Sequence, residues 1–269
     1  MNKIRMNESK IQKATRDFAI EGFKRIGEIL QNDDIHPHVL KNKYDNFIGK
    51  FKKHPPDFKL HRWAGSVTSS QAFAYNIFSG IKGVQFEYPM KAHNRDAQMD
   101  VMLEDNDTVH LYEVKFTEFT KSQKILFEDK YYNENNYKFD NDTTRKYIDF
   151  IKKVEFFNEQ IIHAYGIKQL CSHLLGILNS MELFDKKKVK LYSLCFDYPI
   201  SPEFTCFVEN YKDALEQFKN QYVDSFLQKI NLNNMVEYCG FLSATDYIEK
   251  NEELIGKENY NYVKKRYLL

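Results

Sequence analysis

From Ala97 to Lys115 the chain reads AQMDVMLEDNDTVHLYEVK, two alternating apolar and polar runs split by the turn-forming cluster Glu104-Asp105-Asn106-Asp107-Thr108. This is the pattern of a β-hairpin. The two-residue period of a strand sends Glu113 and Lys115 to one face and Tyr112 and Val114 to the other. Asp100 falls just inside the start of the first strand. Folding that strand back beside the second lets its carboxylate approach Glu113, so two carboxylates and an ammonium converge. Carboxylates are hard oxygen ligands suited to Mg²⁺, which takes one or two of them and keeps several waters.

The Asp/Glu-x-Lys pattern is common in a chain with 29% charged residues, and it recurs at Glu8-Ser9-Lys10, Asp57-Phe58-Lys59, Glu128-Asp129-Lys130 and Asp185-Lys186-Lys187. Those four lie in polar or loop-like stretches, and none ends an apolar strand preceded by a second acid-bearing strand. A Glu and a Lys on one strand can also form a solvated face with cross-strand ion pairs. The residue pattern leaves both readings open.

Asp100 followed after a hairpin by Glu113-Val114-Lys115 resembles the PD-(D/E)XK nuclease superfamily, the fold of many restriction and repair endonucleases. The expected order of elements around it is also similar. A helical segment at Ser69–Phe78 precedes a short strand at Val84–Tyr88. After the hairpin come a long helix at about Phe157–Leu178 and a strand at Val189–Phe196. Trp63, Ser69-Ser70-Gln71-Ala72 and Asn76-Ile77-Phe78 resemble the lead-in of a bacterial restriction-endonuclease-like family within that superfamily.

The resemblance spans roughly residues 61–197 and implies an α/β fold, a restriction-endonuclease-like αβββαβ core with a mixed central sheet flanked by helices. It implies Mg²⁺ (Mn²⁺ could substitute) held by Asp100, Glu113 and the backbone carbonyl of Val114. Lys115 would position the attacking water, and Gln169, on the helix after the Glu-x-Lys strand, would orient substrate or metal-bound water. The chain departs from the family in two places. Met99 rather than proline precedes Asp100, and the first helix lacks the glutamate that many relatives use as an extra ligand. Gln71 is the polar candidate there, which leaves a second metal site open.

At 269 residues the chain can bury a sizeable core. The domains expected are a helical N-terminal extension over 1–60, a nuclease-like core over 61–200 and a helical C-terminal extension over 201–269. Net charge is +1, so no overall basicity announces a nucleic-acid partner. The four cysteines (Cys171, Cys195, Cys206, Cys239) show neither Cys-x-x-Cys pairing nor zinc spacing with histidine, and read as small buried residues of a reducing compartment. With no apolar run of membrane length and no signal-peptide core after MNKIRMNESK, a cytoplasmic protein is expected.

Helices are expected over 8–31 and 38–51, and Pro55-Pro56 ends that region. Residues 1–60 hold 13 Lys+Arg against 8 Asp+Glu, either a basic arm or a solvated helical face. Trp63 is expected to pack those helices onto the core. The loop Lys91-Ala92-His93-Asn94-Arg95 leads into the acidic strand, and Lys91, His93 and Arg95 are candidate contacts to a DNA backbone; Asp96, in that loop, is a weaker ligand candidate than Asp100. The Asn- and Tyr-rich stretch within 121–149 has no clear period and reads as a long loop, either a substrate-covering flap or disordered. Gln169 and His173 share a helical face; His173 is a zinc ligand, a base or a satisfied histidine beside the site. Helix is expected at about 208–230 and again between Met235 and Leu254, and the tail Tyr262–Tyr267 is basic and aromatic.

The reading is a metal-dependent endonuclease acting on double-stranded DNA, of restriction or defence type, with room for a homodimer. Its rivals are a repair or mobile-element nuclease, an inactive nuclease-fold DNA-binding or regulatory protein, and a protein whose Asp, Glu and Lys only pair with one another.

Overall fold

The computed structural model describes residues 2–27, 67–93, 96–121, 125–157, 165–185 and 187–268, the side chains of 2–9 and 157 excepted. The expected helix at 38–51, Trp63 and Arg95 lie outside these residues. The hairpin forms as the alternation dictates: β2 (Asp96–Glu104) and β3 (Thr108–Lys115) pair antiparallel with Val101 opposite Tyr112. The Asp105 carboxylate shapes the turn by accepting the backbone N–H groups of Asp107 and Thr108. Asp96 is the first residue of β2 rather than part of the preceding loop.

β1 (Gln85–Lys91) runs antiparallel beside β2. β4 (Lys188–Cys195) and β5 (Val236–Ser243) extend the sheet in parallel from β3, giving five strands in the order β1-β2-β3-β4-β5. The protein is thus α/β, with a mixed sheet flanked by helices. β5 corrects the helix expected from Met235 onward. Val236-Glu237-Tyr238-Cys239 alternates buried and half-buried positions at the sheet margin, and helix resumes only at Ala244.

The helices are α1 (Asn2–Arg25), α2 (Ser70–Phe78), α3 (Asn141–Phe157), α4 (Ile167–Asn179), α5 (Pro202–Phe218), α6 (Asp224–Lys229), α7 (Ala244–Lys250), α8 (Glu252–Ile255) and α9 (Lys257–Tyr267). No helix among the described residues is long and apolar enough to cross a membrane. Two expectations are corrected here. The loop expected through Asp149 ends at Asn141, where α3 begins, with the Asp140 carboxylate accepting the backbone N–H groups of Asp142 and Thr143. The helix expected from Phe157 begins, among the described residues, only at Ile167, after Gly166 with φ 79°. That backbone conformation favours glycine, and a side chain there would press on the Lys115 stem.

The two faces of β3 meet different helices. Tyr112 packs against Phe78 of α2 and Tyr247 of α7, with ring centroids 4.9 and 5.8 Å away. The edge of that core is an aromatic cluster in which Phe73 lies 4.8 Å from Phe116 and 4.7 Å from Tyr267, joining α2, the end of β3 and α9. The opposite face, carrying Glu113 and Lys115, is covered by α4.

The two ends of the chain are clamped together. Arg25, at the last turn of α1, donates to the carbonyls of Lys265 and Arg266 at 3.0 and 2.9 Å, satisfying acceptors that a helix terminus leaves open. Arg266 is itself buried, its guanidinium 4.0 Å from the Phe23 ring centroid. The basic tail therefore docks on the body. Gly22 is what permits this closeness, because a Cβ there would collide with the Arg266 carbonyl oxygen. Gly22→Ala should consequently destabilise the protein. Overpacking costs about 1–3 kcal/mol, only partly offset by the better helix propensity of alanine, about 1 kcal/mol. A denaturation midpoint at or above wild type would show that α1 does not rest on α9 in this way.

Candidate active site

The sheet register lines up three carboxylates. Pairing of Phe86 with Val101 and of Tyr88 with Met99 sets Glu87 opposite Asp100. Continuation of the Val101–Tyr112 pairing sets Asp100 opposite Glu113. Glu87 itself has φ 50°, an uncommon conformation for a residue with a side chain, and regular pairing is interrupted there. Glu87 was missed in the sequence because its strand is short and the hairpin draws attention only to two strands; the register of a third reveals it.

All three acids line a cavity of about 610 Å³ together with Lys115, Gln169, Gln71, Tyr165 and Glu118. Asp100 Oδ2 accepts the Val114 N–H at 2.7 Å. Glu113 is 1% exposed. One of its oxygens meets the Lys115 ammonium and the other takes a 2.6 Å hydrogen bond with His173 Nε2. Lys115 Nζ also donates to Gln169 Oε1 at 3.0 Å and lies 5.6 Å from the Tyr165 ring centroid. Gln169 and His173, one turn apart on α4, thus reach Lys115 and Glu113 respectively. His173 sits beneath Glu113 and holds its carboxylate; His173 Nδ1 finds no hydrogen-bond partner among the described residues.

Gln71 lines the same cavity as Asp100 and Glu113. Its amide donates to Glu87 Oε1 at 2.7 Å. Lys91 and His93 are absent from the cavity lining. Lys91 pairs with Asp96 at 2.8 Å, and His93 is held edge-on by Tyr131 and Tyr137 at 4.4 and 4.8 Å. Burial there lowers the His93 pKa, which works against a standing positive charge. The Asn/Tyr-rich segment forms short 3₁₀ turns tied by Tyr137 Oη to the Tyr131 carbonyl at 2.6 Å, and among the described residues nothing from 125–149 lines the cavity.

Burial and charge set the electrostatics. Burial alone would raise the Glu113 pKa, but Lys115 and His173 outweigh it and hold the carboxyl at about 2. Burial works against the Lys115 charge too, and Glu113, Glu118 and Asp100 overcome it, so the ammonium is held above its ordinary value. For Asp100 compensation is incomplete: burial first, and then Glu113, push it well above the usual carboxylate range, with Lys115 and the Val114 N–H offsetting only part.

Among the described residues no three of His, Cys, Asp and Glu converge closely enough to hold a metal ion. The available donor set is two carboxylates and one carbonyl. The Lys115 carbonyl accepts from Phe196 on the β4 side, so strand alternation turns the Val114 carbonyl toward Asp100. Hard oxygen donors of this kind suit Mg²⁺ or Mn²⁺. No family model matches the sequence, and neither a curated protein nor a solved structure is detectably similar to it.

The raised Asp100 pKa has a measurable consequence. Below the ordinary carboxylate range Asp100 is protonated in folded and unfolded chains alike, so its burial carries no charge penalty. As pH rises through that range the unfolded chain ionises first, and the folded state loses stability. Without divalent cations, Asp100→Asn should unfold at a higher temperature than wild type near neutral pH, the difference closing as the acid range is reached. Equal midpoints at neutral pH would mean that the buried carboxylate carries no such cost.

Proposed function

We propose that the protein is a metal-dependent nuclease of the PD-(D/E)XK type, with a restriction-endonuclease-like core, that hydrolyses phosphodiester bonds of DNA. The observation that carries this is the setting of Asp100 against Glu113 in a cavity wall, beside a lysine whose own strand delivers it. A buried like-charge pair opposes folding, and a divalent cation is the partner that would reverse its sign.

Asp100, Glu113 and the Val114 carbonyl would hold Mg²⁺, which when bound polarises a phosphate oxygen and lowers the pKa of a water. Lys115 faces the same cavity and would stabilise negative charge developing on the phosphate, where a fixed ammonium screened from water acts strongly. Gln169 holds Lys115 in place through its carbonyl oxygen, leaving its amide nitrogen to meet a water or phosphate oxygen. His173 positions Glu113. Glu87 stands one strand away, oriented by Gln71, as a reserve of negative charge near the site.

One observation favours a different reading: both Glu113 oxygens are already engaged by Lys115 and His173, as in a closed charge cluster with no catalytic role. Calorimetric titration with Mn²⁺ separates the two. A catalytic site binds the ion, and Asp100→Ala or Glu113→Ala abolishes both that binding and Mg²⁺-dependent cleavage of plasmid DNA; a closed cluster takes up no ion. Lys115→Ala should keep Mn²⁺ affinity while losing roughly a hundredfold to a thousandfold in single-turnover rate. Full activity in that variant would remove Lys115 from the mechanism.

A further inference from the structure

Two cations line the acidic cavity without being consumed by it. Arg16 lies on the exposed side of α1, and Lys121 directly follows the 3₁₀ turn Glu118–Thr120, against which α1 packs. They therefore stand on neighbouring elements at one side of the cavity mouth. Neither makes an ion pair with a carboxylate among the described residues. By contrast, Lys91 holds Asp96, Lys187 holds Glu104 and Lys188 holds Glu237. Lys115 gives two of its three donors to Glu113 and Gln169. Gln12 is one turn before Arg16 on the same helical face and lines the same wall.

We infer that Arg16 and Lys121 form a cationic lip that binds backbone phosphates of a polynucleotide strand next to the one placed at the acids. This rests on the nuclease reading and names its substrate surface. A single phosphate monoester would be satisfied by a cation at Asp100 and Glu113 together with Lys115, and would leave the lip without a partner. Two further cations displaced to one side match a chain that carries one charge per phosphodiester. Net charge is only +1, so affinity for such a chain must come from a local cluster of this sort. The N-terminal helix then belongs to the substrate surface, and its clamp onto α9 by Arg25 holds Arg16 at the cavity.

Phosphate contacts release counterions, so log Kobs falls with log salt by about 0.9 per contact on duplex DNA. The test measures that slope for a DNA duplex, with Ca²⁺ at fixed concentration, for wild type and for Arg16→Ala, Lys121→Ala, Arg16→Lys and Lys91→Ala. Arg16→Ala and Lys121→Ala should each flatten the slope by about 0.9, and together by about 1.8. Arg16→Lys keeps the charge and should retain the wild-type slope. Lys91→Ala, outside the cavity, should not change it. Both side chains are exposed, so thermal unfolding midpoints should stay at wild type and a slope change reports binding.

Wild type that cuts DNA with Mg²⁺ while both alanine variants keep its slope would overturn the lip and leave the nuclease reading standing. Variants that flatten the slope of a wild type unable to cut would support the lip and overturn the nuclease reading. A wild type that neither binds nor cuts DNA would overturn both.

Discussion

Everything around the cavity answers to one electrostatic problem, the row of carboxylates that the sheet register creates. Like charges directly opposite on neighbouring strands repel, and burial removes the water that would screen them. Glu113 is relieved from two directions: Lys115, two residues along the same strand, and His173, from α4. Asp100 receives one backbone N–H and remains the group under strain. Such a site resists collapse into a fully neutralised core.

The scaffold makes that arrangement durable by separating its two faces. The Tyr112–Phe116 side of β3 is given to apolar and aromatic packing against α2, α7 and α9, with Phe73, Phe116 and Tyr267 in direct ring contact. The Glu113–Lys115 side is given to α4, whose Gln169 and His173 supply polar contacts where Leu170 and Leu174 supply burial. A strand can serve both because its side chains alternate. The stability lost at the acids is thereby offset on the other side of the same strand.

The termini add a second layer. α1 meets α9 through Arg25, Arg266 and the side-chain-free surface at Gly22, so residues from the first and last parts of the chain become one support beside the cavity. The N-terminal helix reads in sequence as an appendage to a core that begins near residue 61. In the fold it supplies Gln12, Thr15 and Arg16 to the same cavity wall as Asp100 and Glu113.

What the sequence by itself determined was local and periodic: the hairpin, the face shared by Glu113 and Lys115, the approach of Asp100, and the one-turn spacing of Gln169 and His173. Each follows from the two-residue period of a strand or the 3.6-residue period of a helix, and needs no distant partner. Tertiary structure alone decided the rest. Glu87 joins the acid row only through the pairing of β1 with β2, and β5 takes strand conformation only because β4 offers it an edge. His93 turns under Tyr131 and Tyr137 instead of toward the acids, and Arg16 reaches the cavity because α1 packs on the Glu118–Thr120 turn and on α9, where Arg25 bonds carbonyls about 240 residues away. Those placements depend on which surfaces meet, and contacts between residues far apart in a chain leave no period in it.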